Sequence, residues 1–420
     1  MATFTPQRLK RTLSPITGDQ WQFAFSAASF VEYDDTITSI SINRGVSDRN
    51  VGHNPNTCEV TFTGRRDNFL TGNLMRLSLR ESVAQRLATH IGADPEKIIR
   101  RFTGRLATID IEDLGGDKFY TSVAGSSHLT QMNYSVASFT PNAGQNLGSI
   151  LADATKANEP IRGVDFSTNL GAVNIHQFAA GEQMLFKDGL GKYATDIGIT
   201  LQEYRDGSTK ALGIPWRIDT AASRVVTEYP LMRNQAIAPG NYSQHSERPA
   251  VRVEYTIKNE SGGTATRVAE VANPTGELRE TVSIDWSYLQ VEDVQNQLVR
   301  EAYARVFGSS SRLYTLPTVK IDMLLLLKDG SPYSKKIAKQ ILEMEVSESV
   351  SLSGDWPKSL QGVHFAEGIK EIITPDSWEF ELSLVPHAVA TGNVSPTVQP
   401  RAWDSATKVW NDETREWNQA

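Results

Sequence analysis

The sequence predicts a mainly β protein with an inserted α/β region. Three observations carry this reading. Apolar residues alternate at a period of two between about residues 32 and 135, and again from 251 onward. Between those stretches, residues 136–245 mix helix-spaced apolar positions with two alternating runs on either side of Asp206-Gly207, a strong hairpin signal. Residues 368–384 (GIKEIITPDSWEFELSL) give the clearest strand pair.

Taken in order, residues 1–28 are mixed polar and aromatic without a sustained period, and are expected to form an N-terminal arm. Residues 29–135 are expected to form a first β domain. Ile37, Ile40 and Ile42 mark one strand, residues 58–62 a second and residues 74–79 a third. Residues 102–111 and 119–123 read as a hairpin around Asp113-Leu114-Gly115-Gly116-Asp117. A short helix is expected over 81–90.

The inserted region, 136–245, opens with a helix over 146–156, where Leu147, Ile150 and Leu151 share a side. A second helix is expected over 181–197, weakened by Gly189 and Gly191. The Asp-Gly hairpin follows over 199–212. A second β domain is expected over 246–395. Val253, Tyr255 and Ile257 alternate, and a helix over 291–307 repeats Val291, Val294, Leu298, Ala302 and Val306 at helical spacing. Asp285 or Ser287 can cap that helix, and Gly308 stops it. Strands are expected over 318–327 and 341–350.

In the closing hairpin, Trp378, Phe380, Leu382 and Leu384 point one way, and Glu379, Glu381 and Ser383 the other. Pro375 pre-sets one turn dihedral, and Asp376 can bond the local backbone. Trp378, Phe380, Leu382 and Leu384, with Leu298, are the candidate core residues. Residues 396–420 change character. Trp403, Trp410 and Trp417 recur every seven residues in a polar tail, a spacing that puts them on one face of a helix. Three such rings need a surface to bury them. Either their own domain or a neighbouring subunit can supply it, and the three are candidate subunit contacts. A carbohydrate platform is the lesser alternative.

The composition excludes several classes. A net charge of −7, spread along 420 residues, does not suit a nucleic-acid-binding surface. The single cysteine, Cys58, rules out an internal disulfide and alternates with Val60 and Phe62 as a core thiol would. The longest strongly apolar run, 323–327, is far short of the ~20 residues of a spanning helix. The apolar stretch 23–31 starts late and contains serines and aromatics, so no secretory signal is expected. Phosphate-cradling, dinucleotide-binding, HExxH and nucleophile-elbow motifs are all absent. The seven histidines show no metal-ligand spacing. No catalytic, cofactor or metal residue is expected. Asp110, Glu112, Asp113 and Asp117 flank a hairpin turn and read as a solvated turn, with weak cation binding as the alternative.

Four segments carry a family resemblance. RFTGRL (101–106), an alternating strand and FYTSVAGSSHLTQM (119–132) form the first, with Gly125-Ser126 where an Asp is usual. The helix over 182–197 with LQEYRDGSTKALGI (201–214) forms the second. The helix over 291–307 with VKIDMLLLL (319–327) forms the third. The fourth is 368–384, where Gly368, Ile369, Ile373, Pro375, Trp378, Leu382 and Leu384 fit and Glu371 replaces a common His. In this order and spacing the chain resembles the tail-hub, or minor tail, proteins of siphophages, especially those of actinobacteria.

The resemblance implies two β-barrel-like tail-hub domains with an inserted helix/hairpin domain and no enzymatic activity. It implies a trimeric ring at the virion tail tip, assembled in the host cytoplasm, that adapts the sixfold tail tube and distal tail ring to threefold symmetry. The implied partners are other copies of the chain, the distal tail protein, the tape-measure protein and other tail-tip proteins. Phage DNA would pass without specific binding, and no stable membrane insertion is implied. The runner-up within this class is a hexameric distal tail protein. A tail protein that binds or cleaves host-envelope glycans is the alternative from another class.

Overall fold

The structure is a computed structural model. It describes residues 21–26, 31–33, 37–45, 53–130, 138–139, 165–166, 184–185, 199–213, 229–239, 243–244, 252–258, 264–270, 281–286, 314–315, 318–346, 348–358 and 360–386.

The protein is mainly β, with few helices among the described residues. The first β region contains β1 (Trp21–Ser26), β2 (Val31–Tyr33), β3 (Ile37–Gly45), β4 (His53–Asn54), β5 (Thr57–Thr63) and β6 (Leu74–Leu79). Helices α1 (Glu81–Ile91) and α2 (Pro95–Ile99) follow, then β7 (Arg100–Asp113) and β8 (Phe119–Ser126). The middle carries β9 (Ser138–Phe139), β10 (Asp165–Phe166), β11 (Met184–Leu185), β12 (Ile199–Glu203), β13 (Thr209–Gly213), β14 (Tyr229–Met232), β15 (Ile237–Pro239) and β16 (Ser243–Gln244). The last part holds β17 (Arg252–Lys258), β18 (Thr264–Glu270), β19 (Thr281–Trp286), β20 (Tyr314–Thr315) and β21 (Val319–Asp322). Then come α3 (Met323–Asp329), α4 (Pro332–Glu343), β22 (Ser349–Ser353), β23 (Gly362–Thr374) and β24 (Ser377–Pro386).

Among the described residues, thirteen strands form one strongly curled sheet, a half-barrel. Its main path runs β15-β21-β24-β23-β3-β5-β8-β7-β6-β1-β2, with β22 on β23 and β14 on β22. The β23–β3 ladder joins the two β regions, from Gly368 opposite Gly45 to Ile373 opposite Ile40. Each region also carries a helix pair, and α1 and α2 both pack on α4.

The strands arise where side chains alternate against this sheet's core. In β5, Cys58, Val60 and Phe62 are buried between exposed or half-buried neighbours. In β3, Ile37 and Ile40 are three apart, yet both are buried. A register shift between Ile37 and Ser39 re-phases the strand and brings them to one side. β7 and β8 approach so closely that a Cβ on Gly104 would lie 2.4 Å from the Ser126 carbonyl oxygen, so this position takes only glycine. Helix α1 buries Val83, Ala84, Leu87, Ala88 and Ile91, and ends at Gly92, whose φ of 71° is left-handed.

Several expectations change. Residues 21–26 are not arm but a strand, paired along its length with Leu74–Leu79. The strand expected over 318–327 stops at Asp322. Its carboxylate accepts from Leu325 N at 3.0 Å and starts α3, which buries Met323, Leu326 and Leu327. A short apolar run fits a buried strand or a buried helix equally well, and here the cap decides. Ile341 belongs to α4, which Ser331 caps and Pro332 opens, so the strand expected over 341–350 begins only at Ser349. Within the helix expected over 181–197, Met184 and Leu185 form a strand paired with Ser138 and Phe139. Asp285 lies inside β19, opposite Thr256. The helices expected over 146–156 and 291–307, Leu298 with them, lie outside the described residues, as does the 396–420 tail.

Candidate functional site

The closing hairpin places its apolar face against the core. β23 and β24 turn through Pro375 and Asp376, with Thr374 opposite Ser377 and their hydroxyls 2.7 Å apart. Trp378, Phe380, Leu382 and Leu384 are buried. On the outer face, Glu381 lies between its two cross-strand partners, 2.8 Å from Lys320 and 3.8 Å from Lys370.

One residue of the inner face is charged. Glu371 sits in phase with Ile369 and Ile373 and is fully buried. Its Oε2 accepts from Arg101 Nη2 at 2.7 Å and Nε at 3.1 Å, and its Oε1 accepts from Trp378 Nε1 at 2.9 Å. Arg101 also donates to Leu342 O at 2.9 Å and lies 5.7 Å from the Phe380 ring centre. Burial lowers the pKa of the Arg101 guanidinium, and Glu371 partly offsets this.

The Asp206-Gly207 hairpin adds a third chain segment. Gly207 takes φ 84°, and a Cβ there would crowd Thr103 at 3.1 Å, so glycine is required both by conformation and by space. Thr103 Oγ1 donates to Arg205 O at 3.1 Å. The Arg205 side chain reaches inward and donates to Glu345, and to the carbonyls of Lys97, Leu342 and Met344 at 2.6–2.8 Å. Arg44 Nη1 meets the other Glu345 oxygen at 2.9 Å. Three guanidiniums and two carboxylates therefore meet at the junction of the two β regions and the Asp-Gly hairpin. Burial, then the neighbouring Arg205, pushes the Arg44 pKa down to about 10. Its Nε and Nη2 make no hydrogen bond to a described residue.

Glu203, two residues before Arg205, is the second buried carboxyl here, at 1% exposure. Its Oε2 accepts from Leu129 N at 3.1 Å, and its carbonyl accepts from Asn56 Nδ2 at 2.6 Å. Burial raises its pKa to about 7, while hydrogen bonds from Ser127, Leu129 and His128 pull it back. A carboxyl whose folded pKa lies above the unfolded 4.5 gives stability that is fully present below about pH 4.5 and lost as pH rises through about 7. Glu203→Gln is therefore expected to flatten the fall in stability between pH 5 and 8, by on the order of 1–3 kcal/mol in urea unfolding. An unchanged pH dependence would contradict this assignment.

The acidic residues of the β7–β8 turn sit apart from this cluster. Asp110, Glu112, Asp113 and Asp117 are all exposed around the β7–β8 turn, where Asp113 Oδ1 accepts from Gly115 N at 2.8 Å. Among the described residues, no group of three or more His, Cys, Asp or Glu side chains could hold a metal ion. Cys58 is a buried free thiol whose pKa burial raises. No described helix is long and apolar enough to cross a membrane. Trp403, Trp410 and Trp417 lie outside the described residues.

Sequence reading missed Arg44, Arg101, Arg205 and Glu345 as one cluster. A signal existed: Arg44 continues the buried phase of Ile40 and Ile42, and Glu371 that of Ile369 and Ile373. A charge on an apolar face announces a buried partner. Nothing in the sequence says which one.

No family model matches the sequence, and no curated protein matches it. Solved structures do match the fold. The tail protein from Neisseria meningitidis MC58 is 12% identical, with a TM-score of 0.59 over 89% of this chain and 98% of that one. The 43 kDa tail protein of prophage MuSo2 from Shewanella oneidensis is 14% identical, with a TM-score of 0.57 over 88% and 99%. Prophage tail protein gp18 from Listeria monocytogenes EGD-e is 9% identical, with a TM-score of 0.50 over 87% and 94%. The chain thus has a β-rich fold shared with phage and prophage tail proteins.

Proposed function

We propose that this chain is a structural, non-enzymatic protein of a phage or prophage tail. The observation that carries the reading is the fold likeness to the Neisseria and MuSo2 tail proteins over nearly the whole of both chains. In its finer form, three copies make a hub ring at the virion tail tip, below the tail tube and distal tail ring. The tape-measure protein ends there, and DNA leaves through the ring. Two helix-bearing β regions sharing one sheet support this form, because they let each chain offer two related surfaces to a sixfold partner. The mild net charge of −7 suits a channel to which DNA does not adhere. Trp403, Trp410 and Trp417 are proposed contacts to a neighbour.

The test is the mass and symmetry of the assembled protein. Three copies in a closed ring are expected in native mass measurement and in averaged micrographs. Six copies would instead assign a distal tail ring. A purified chain that binds glycan arrays or degrades peptidoglycan would overturn the structural reading.

A further inference from the structure

We propose that copies of this chain associate head to tail, the tip of the β7–β8 hairpin of one copy seating on the outer face of α4 of the next. The proposal rests on the ring reading above and assigns the surfaces that would close the ring.

The hairpin tip leaves the packed body of the sheet. Every residue over 107–118 is exposed except Ile109, which is half-buried. Ile111, Leu114 and Tyr120 are 41%, 50% and 36% exposed, half of the large exposed apolar residues among the described ones. The register puts Tyr120 on the face of Glu112 and Asp110, and Ile111 on the opposite face with Asp113. A turn alone needs no such residues, and exposed apolar groups beside charges mark contact surfaces. The tip is also acidic, with Asp110, Glu112, Asp113 and Asp117 against Lys118.

The complementary surface lies on α4. Tyr333, Lys336 and Lys339 recur every three residues, so they line one flank of the helix. Met232 is 46% exposed and is held at that flank, its N–H donating to Tyr333 Oη at 2.7 Å and its carbonyl accepting from the Tyr333 hydroxyl at 3.2 Å. The result is an apolar spot beside lysines, opposite in charge to the tip.

The two surfaces do not meet within one copy, where Ile111, Leu114 and Met232 all stay exposed. Arg101, at the start of β7, bonds to Leu342 at the end of α4. Asp113 lies twelve residues further along β7, roughly 40 Å away at strand rise. Lys336 lies six residues back along α4, only about 9 Å away at helix rise. The gap, roughly 30 Å, leaves a second copy to supply the contact. Two different patches meeting in this way make a heterologous interface, and such interfaces close into rings when the rotation permits. Opposite charge sets the register and speeds encounter.

The test uses the full chain. Asp110→Lys with Glu112→Lys is expected to weaken self-association about tenfold or more in sedimentation velocity, with an unchanged melting curve. Lys336→Glu with Lys339→Glu should do the same, and all four changes in one chain should restore association. Raised salt should weaken the wild-type contact. Tip-reversed chains that still form rings, or a fourfold variant that stays dissociated, would overturn this contact, giving the tip another partner, and leave the ring reading standing. A wild-type chain that remains monomeric overturns both.

Discussion

Glu371→Gln is expected to destabilise the protein by about 3–5 kcal/mol, read as a lower urea midpoint with an unchanged m-value. The amide keeps the size of the side chain and can still accept from Trp378 Nε1, so packing is nearly conserved. What disappears is the negative charge facing Arg101. That guanidinium is buried, its remaining direct partners are the Leu342 carbonyl and the Phe380 ring, and the nearby Glu345 is already paired with Arg44 and Arg205. Neither compensates a full charge taken out of water. The control is the pair Arg101→Met with Glu371→Leu, which removes both charges and should recover most of the loss, because a buried ion pair contributes little beyond an apolar replacement of similar size. A cost below about 1 kcal/mol for Glu371→Gln would mean that water or another cation already serves the site.

Trp378→Ala should cost a similar amount, about 3–5 kcal/mol, for a different reason. The indole is fully enclosed on the inner face of β24, with Phe380 6.2 Å away ring to ring. Truncation leaves a cavity that a sheet pinned on both sides cannot collapse into. It also removes the donor to Glu371 Oε1. Trp378→Phe separates the two losses, since it fills most of the cavity and should cost about 1–3 kcal/mol for the unpaired oxygen. Because both substitutions act on one network, Trp378→Ala combined with Glu371→Gln should differ from the sum of the two by more than about 0.5 kcal/mol. Strict additivity would place the two residues in separate networks.

Much of the local structure was legible. The strands at Ile37, Cys58 and Leu74, the helix beginning at Glu81 and both long hairpins follow from the period of the apolar residues. The errors have separate causes. In residues 323–327 every side chain is apolar, so there is no period to read, and Asp322 as a cap settles the matter only once its carboxylate is seen to meet Leu325 N. Residues 21–26 do alternate, Trp21, Phe23 and Phe25 against Gln22, Ala24 and Ser26, but the run is only six residues long inside an unpatterned stretch, and its pairing with β6 is what shows it as a strand.

The sequence by itself determined the mainly β class, the position of the closing hairpin and the burial of its tryptophan side, because side-chain alternation is a property of neighbours along the chain. Only the tertiary structure decided that β23 lies beside β3, and that Arg44, Arg101, Arg205, Glu345 and Glu371 meet at one junction. Those partners lie as many as 301 residues apart. Local periodicity carries no information about pairing across such a distance. The pairing is fixed when the curled sheet brings the two regions together, because a charge buried without its partner costs a large share of the fold's net stability.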